Sequence, residues 1–362
     1  MRLLLKPALS RSWRDSETLQ FGTVRQYAGV LERADRARCD FLGLLDGTRD
    51  RPALLEAGER AGLGREPAGA LLDELEQAGL LDDADAAGSA LARFPQPHRE
   101  LLGPDLASLS LVHSGPGTAP AVLARRADHR VEVRGAGRVG AALAAVLAAG
   151  GTGAVTVTDT GRVRPGDCSP AGLPPGDVGR LRSTAAREAL QRASARRTAP
   201  DTRRRPERHP DLVVLAPRDG SGAFAGGAAE ARELLRAGVA HLYVGVVEEF
   251  GVVGPLVVPG VSACGHCLVL AREDEDPAWP RILAQLADDG PGRARTPACD
   301  TGLATAVAGL AALHAQVYLD GGRPPSLDGW CELSAVDGMP RRLRLKGHPD
   351  CGCLWQPQPP PG

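Results

Sequence analysis

The alternation of hydrophobic and polar positions divides the chain into three parts. Over the first 83 residues, short runs of period two predict strands, and apolar positions three or four residues apart predict amphipathic helices. The strands are expected at Leu3–Leu5, Thr18–Gly22 and Gly29–Glu32, and the helices near 35–46, 50–62 and 65–80. This set of elements predicts a winged-helix-like α+β module over residues 1–83.

The hydrophobic pattern changes at residue 84 and again at residue 131. Residues 84–130 have little apolar periodicity and are rich in Ala, Pro, Gly and Arg, so we expect a linker with a short strand at Leu109–Val112. Over 131–362, strands alternate with helices, which predicts an α/β fold with a Rossmann-like, doubly wound and mostly parallel sheet. Its later elements are expected to be strands at Leu212–Ala216 and His241–Val247, a helix at Ala228–Ala237, an extended pair around Gly251–Val258 and an apolar helix at 300–319.

Composition narrows the class of protein. The 362 residues include 43 Lys and Arg against 44 Asp and Glu, a balance that argues against a dedicated nucleic-acid surface. The only lysines are Lys6 and Lys346, so the basic charge is almost entirely arginine. No uninterrupted apolar run reaches the roughly 18 residues of a membrane span, and the N-terminal M-R-L-L-L-K-P lacks a signal-peptide cleavage site. We therefore expect a soluble, cytoplasmic protein.

A glycine turn opens the α/β region. The segment V-E-V-R-G-A-G-R-V-G places Gly135, Gly137 and Gly140 between a β-branched strand and a long apolar helix, and Asp159 closes the next strand. In nucleotide-binding folds these glycines allow a tight turn, phosphate approach and close helix packing, and the acid holds a ribose hydroxyl. The pattern predicts a nucleotide site, and the alternative is a glycine turn that binds no nucleotide.

Two close cysteine pairs predict a metal site. The four thiols are Cys264 and Cys267 in C-G-H-C, and Cys351 and Cys353 in C-G-C. Two turns that each offer two thiolates can form a closed tetrahedral cage, which suits structural zinc. His266 or His348 could replace one ligand, and a redox pair or buried free thiols are the alternatives. Outside these pairs, Cys168, Cys299 and Cys331 have no adjacent base in sequence, and Cys39 is most simply a core residue.

The glycine turn, the acid after the second strand, the later D-V-G and the paired cysteines together resemble the ThiF superfamily over roughly 130–353. These relatives of ubiquitin-activating enzymes use ATP and Mg²⁺ to adenylate a C-terminal carboxylate, and the resemblance implies a homodimer. The N-terminal module resembles the recognition element that binds leader peptides in ribosomal peptide natural-product (RiPP) pathways. Both parts occur together in ThiF-like partners of YcaO cyclodehydratases and in peptide adenylyltransferases.

The chain departs from active members of this family at the charged positions. The expected Asn-Leu-x-Arg-Gln stretch is missing, and Arg182 stands near the position of a conserved lysine. Arginine carries charge, but its planar group does not reproduce the geometry of an ammonium. The resemblance implies Asp219 as the Mg²⁺ ligand, although this residue could equally be a turn residue before Gly220.

The N-terminal module offers a strand edge for a peptide. An added peptide strand gains main-chain hydrogen bonds from the edge and sequence selection from alternating side-chain pockets. We expect the edge near Tyr27, Val30 and Leu31, beside a third helix whose apolar wall comprises Leu71, Leu72 and Leu75. The alternatives are a module that only caps the larger domain or that binds DNA, and the acidic third helix disfavours DNA.

Two functions remain. The first is an adaptor without strong catalysis that presents a precursor leader peptide to a YcaO-type cyclodehydratase for azole or azoline formation. The second is an ATP-dependent adenylyltransferase acting on a peptide or carrier-protein C-terminus through Gly135, Gly137, Gly140, Asp159, Arg182 and Asp219. A nicotinamide-dependent oxidoreductase would rest on the glycine turn alone, and the cysteine clamp disfavours it.

Overall fold

The computed structural model describes residues 1–24, 29–92, 94–194, 209–218, 229–287 and 297–354. The chain forms two compact units, Met1–Arg125 and Arg126–Gly362. The first contains, in order, β1 (Arg2–Leu5), β2 (Arg11–Trp13), β3 (Leu19–Phe21), β4 (Gly29–Leu31), α1 (Arg36–Gly43), β5 (Asp46–Asp50), α2 (Arg51–Arg60), α3 (Arg65–Gln77), β6 (Leu81–Asp83), α4 (Ala84–Ala90), α5 (Gln96–Leu101), α6 (Gly103–Val112) and α7 (Thr118–Arg126).

The first unit contains the predicted strands and helices of its N-terminal module. Its strands form two antiparallel three-stranded sheets, β5-β1-β6 and β2-β3-β4. Apolar side chains from both sheets and from α1 to α3, including Phe21, Phe41 and Leu72, pack into one buried core. Strand β5 was not expected, because D-G-T-R-D contains no apolar alternation. It pairs with β1, and Asp50 caps α2 by accepting the Ala53 N–H at 3.0 Å.

The segment expected to be a linker is helical. Residues 84–126 form α4 to α7, and the strand expected at Leu109–Val112 is the last turn of α6. The prolines in this segment misled the prediction, because α5 and α6 carry proline in the first helical turn, where the missing N–H costs nothing. Lys6, which is buried and directly follows β1, donates to the carbonyls of Ser110 (2.5 Å) and Ser114 (3.0 Å), which ties the end of α6 to the module.

The second unit is built on a seven-stranded sheet in the order β13-β12-β11-β10-β9-β7-β8. Its elements are β7 (Arg130–Arg134), α8 (Arg138–Ala149), β8 (Ala154–Thr158), α9 (Arg182–Ala193), β9 (Leu212–Leu215), α10 (Ala229–Arg236), β10 (His241–Val247), β11 (Phe250–Val257), α11 (Gly265–Glu275), α12 (Trp279–Ala287), α13 (Thr301–Leu319), β12 (Gly329–Ser334) and β13 (Pro340–Arg344). Strands β8, β7, β9 and β10 are parallel, and β11 to β13 extend the sheet as an antiparallel meander. The predicted α/β, Rossmann-like class is confirmed.

Both faces of this sheet are covered. Strand β9 is buried along its whole length, as expected for a parallel strand between helical layers. Helices α8 and α13 cover one face, and α10 and α11 cover the other. The extended pair expected around Gly251–Val258 is one strand, β11, whose partner is β10. Gly251 permits this arrangement, because a Cβ there would lie 2.1 Å from a Val307 methyl group of α13.

Within the described residues, only α13 is long and apolar enough to cross a membrane by length and composition. Half of that helix is buried inside the second unit, where Leu303, Val307 and Ala311 join the core formed with α8. Its hydrophobicity therefore has a structural explanation within this fold.

His314 on α13 makes stability depend on pH. Burial lowers the pKa of His314 to about 4, and its Nδ1 has no hydrogen-bond partner in the described part of the chain. The unfolded chain binds a proton near the ordinary histidine pKa, so stability falls as pH drops from 7 to 5, by about 2 kcal/mol. His314→Gln should abolish this part of the loss in urea unfolding at the two pH values. His113→Gln is the control, and an unchanged pH dependence in His314→Gln would contradict the prediction.

Candidate functional sites

The glycine turn joins β7 to α8, as the sequence predicts. Gly135 has φ +109°, and a Cβ there would lie 1.9 Å from the Ala216 carbonyl oxygen. A Cβ at Gly140 would lie 2.1 Å from the Gly135 oxygen. Gly137 is the N-cap of α8 and faces a crevice. Packing of the turn against its neighbours therefore explains Gly135 and Gly140 without a nucleotide, and phosphate approach is an argument for Gly137 alone.

Asp159 lies beside the turn but is already engaged by the protein. Its carboxylate accepts the backbone N–H of Ala136 (2.9 Å) and of Gly161 (2.8 Å), and it is paired with the Arg182 guanidinium at 2.9 Å. Burial would raise the pKa of Asp159, but the hydrogen bonds from Arg182 and the two N–H groups outweigh it and lower the pKa. A ribose hydroxyl would compete with these internal donors.

A second buried acid, Asp167, was not singled out from the sequence. It ends a short 3₁₀ turn, Pro165–Asp167, and accepts the Arg164 N–H at 2.8 Å. Its carboxylate contacts Arg182 Nη1 at 3.3 Å and Arg218 Nε. The sequence could have pointed to Asp167, because this acid lies within the stretch that replaces Asn-Leu-x-Arg-Gln.

The crevice between these groups is small. It encloses about 70 Å³ and is lined by Gly137, Asp167, Arg218 and Cys299 among others. Nucleotide-sized ligands occupy pockets of roughly 300–1,000 Å³. Arg138 crosses the crevice, donating to the carbonyls of Gly166 and Cys299, both at 2.8 Å. Asp219, the expected Mg²⁺ ligand, lies outside the described residues.

The four paired cysteines converge in the second unit. The thiol sulfurs of Cys264, Cys267, Cys351 and Cys353 all lie within 4.8 Å of one another. Individual separations are 4.0 Å for Cys264–Cys267, 3.5 Å for Cys264–Cys351 and 3.4 Å for Cys267–Cys353. A tetrahedral zinc with bonds of about 2.3 Å places its sulfurs about 3.8 Å apart. These four cysteines could therefore hold a metal ion, and the donor set fits zinc.

The surroundings of the cysteine cage favour a thiolate. The hydrogen bond between Cys264 and Cys267 lowers the pKa of Cys267 and raises that of Cys264, and the His348 N–H points at the Cys267 sulfur from 3.3 Å. The imidazole of His348 contacts Asp274 at 2.9 Å instead of a sulfur, whereas His266 Nδ1 lies 3.4 Å from Cys351 Sγ. The two histidines thus lie next to the cage, and the four thiols are its candidate metal ligands.

The remaining cysteines do not have the environment of nucleophiles. Burial raises the pKa of Cys168, Cys299, Cys331 and Cys39. Low-pKa thiols near cations are the usual catalytic ones. Cys299 lines the crevice through its position before α13, but its carbonyl, and not its thiol, makes the contact with Arg138.

The candidate peptide edge is in the first unit. Among the described strands β4 pairs only with β3, so its other edge is free of strand partners. Val30 is 40% exposed, whereas Leu31 is buried in the core with Leu71, Leu72 and Leu75. Leu31 can therefore offer a peptide only its backbone, and Tyr27 lies outside the described residues. A cavity of about 440 Å³ beside Gly29, lined also by Leu9 and Leu80, was not anticipated.

Comparisons with known proteins agree with the fold. The ThiF family matches residues 118–212. No curated protein matches the sequence. Among solved structures, E. coli MccB crystallised with AMPCPP and MccA has a TM-score of 0.70 at 16% identity, covering 98% of this chain and 99% of that one. MccB with ATP has the same score and identity, covering 98% and 100%. The heterocyclase TruD has a TM-score of 0.60 at 18% identity, covering 98% of this chain and 42% of TruD.

Proposed function

We propose that this chain, which carries a ThiF family domain, is a leader-peptide-binding adaptor for a YcaO-type cyclodehydratase in azole or azoline peptide biosynthesis. In this proposal the first unit captures the leader of a ribosomal precursor peptide. The second unit is a zinc-stabilised docking domain derived from an activating enzyme. In this proposal the adaptor acts in the cytoplasm, and the family resemblance implies that it is a homodimer.

The pairing of Arg182 and Arg218 with buried acids carries the proposal. Arg182 contacts both Asp159 and Asp167, and Arg218 contacts Asp167. A triphosphate needs cations whose charge is not already neutralised, and separating a buried ion pair leaves an uncompensated charge that costs about 3–5 kcal/mol. A crevice of about 70 Å³ would also have to open before a nucleotide could enter. The pairing of Arg182 and Arg218 and the volume of the crevice therefore both oppose ATP binding.

The free edge of β4 supports the peptide part of the proposal. An unpaired strand edge with an exposed apolar side chain and an adjoining cavity can take an extended peptide as an added strand. MccB, which has the same fold, has been crystallised with MccA. The heterocyclase TruD has a similar fold over 42% of its length.

The second candidate is an adenylyltransferase. The match to MccB over nearly the whole of both chains, including MccB crystallised with ATP, favours it. In that case Gly137 would face a phosphate group of ATP. Asp159 would give up its hydrogen bonds with protein groups and bind a ribose hydroxyl instead.

Two measurements on the purified full chain separate these candidates. The probe is the fluorescently labelled N-terminal half of a short precursor peptide, to be identified among the neighbouring genes, and its binding is followed by anisotropy. ATP–pyrophosphate exchange is assayed with the full precursor. An adaptor binds the leader with micromolar or tighter affinity and exchanges no pyrophosphate above background. Robust AMP transfer by this protein alone would disprove the adaptor proposal.

Val30 provides a test of the peptide edge. Val30→Asp places a charge on the strand edge that an added peptide would desolvate, so leader affinity should fall at least tenfold. Val178→Asp is the matched control, because Val178 is exposed to a similar extent, 45% against 40%, and belongs to the second unit. Equal affinity in both variants would show that the leader binds elsewhere.

A further inference from the structure

We propose that Arg182 and Arg218 form a latent polyphosphate site that the carboxylate of Asp167 occupies in the native protein. This inference rests on the proposed function, because it gives the reason why the crevice would bind no ATP. Independently of that function, the side chain of Asp167 masks an anion site.

The position of Asp167 is fixed by the backbone. The 3₁₀ turn Pro165–Asp167 presents the side chain, and Oδ2 accepts the Arg164 N–H at 2.8 Å. The residue is 1% exposed. The carboxylate is thus held in the crevice by its own turn, independently of the arginines.

The contacts of Asp167 are those expected of a bound phosphate. One carboxylate oxygen contacts Arg218 Nε, and the other lies 3.3 Å from Arg182 Nη1. The two guanidinium groups come from separate segments, the start of α9 and the loop after β9. Proteins commonly bind carboxylates and phosphates between two such groups. An internal carboxylate at this point competes directly with an external phosphate.

A third cation lies within reach. Arg138 follows Gly137 at the start of α8, and its guanidinium donates to the Gly166 and Cys299 carbonyls and to the Thr301 hydroxyl at 3.1 Å. These partners are neutral, although Asp300 nearby caps α13. When the charge of Asp167 is removed, Arg138, Arg218 and the α8 N-terminus face the crevice, while Arg182 loses one of its two carboxylate partners and keeps Asp159. The ligand class that this arrangement fits is a polyphosphate chain.

The test compares two aspartates in the same local sequence. Asp167 and Asp177 each end a P-G-D 3₁₀ turn and each is buried, but Asp177 pairs with Arg180 outside the crevice, at 2.6 Å. Asp167→Asn should bind inorganic tripolyphosphate at least tenfold more tightly than the native protein in calorimetry, and Asp177→Asn should show no gain. Asp167→Asn with Arg218→Met should lose the gain.

ATP and AMP serve as further probes. Binding of ATP and tripolyphosphate with similar affinity assigns the gain to the phosphate chain, whereas a gain for AMP of equal size would overturn the proposal. Asp167→Ser, which retains an acceptor for the Arg164 N–H, replaces Asp167→Asn if thermal unfolding shows that the latter is not folded. Failure of both variants to fold, or no gain in a folded variant, would also overturn it. Leader binding is measured separately, so a failure of the proposed function is recognised independently.

Discussion

Cys353→Ser is expected to release the metal and to cause the largest loss of stability of any substitution considered. Native protein should contain one zinc per chain, and the variant should contain almost none. Structural zinc in small domains binds with an apparent free energy of roughly 10–16 kcal/mol, and part of this is folding free energy. Here the cage joins residues 264–267 to residues 351–353, so its loss should detach the C-terminal segment from the sheet.

The control for this substitution is Cys168→Ser. Cys168 is half-buried like Cys353, and among the described residues its sulfur contacts the carbonyls of Arg164 and Pro174, at 3.8 and 3.7 Å, and no other thiol. Zinc content and the thermal midpoint should be nearly native in this variant. A native protein that contains no zinc after expression in zinc-supplemented medium would contradict the assignment, as would a Cys353→Ser variant with native stability.

Asp320→Ala should cause the second largest loss, about 3–5 kcal/mol. Asp320 follows α13 and forms a bidentate pair with Arg126, with side chains only 7% and 5% exposed. Arg126 also donates to the Gly150 carbonyl at 3.0 Å. Removing the carboxylate leaves the guanidinium buried with that carbonyl alone, and a buried charge without its counter-ion is strongly unfavourable.

Urea unfolding of the full chain measures this loss of stability as a shift of the unfolding midpoint of the second unit. Asp337→Ala is the control, because its pair with Arg341 is exposed and such pairs contribute about 0–1 kcal/mol. The unfolding midpoint of Asp320→Ala should fall clearly below that of Asp337→Ala. Equal midpoints would mean that Arg126 finds another partner or reaches solvent.

The sequence predicted correctly those elements whose conformation depends on residues close together in the chain. The β7–glycine–α8–β8 unit follows from a β-branched strand, a glycine with positive φ and a long apolar helix. Residues 84–130 suggested a linker because they are rich in Ala, Pro, Gly and Arg and show little apolar periodicity, whereas proline in the first turn of a helix is compatible with that helix. Strand β5 was missed because pairing with β1, and not its own polar sequence, makes it a strand.

The sequence by itself determined the fold class, the glycine turn and the two halves of the cysteine cage. Each depends on residues close together in the chain, whose spacing fixes their geometry. Only the tertiary structure decided which charges meet: Arg126 with Asp320, and Asp167 with Arg182 and Arg218. These partners are separated by up to 194 positions, so no local pattern encodes the pairing. Whether an arginine is available to a ligand depends on its nearest carboxylate in space, and that distance is set by how the sheet and helices pack.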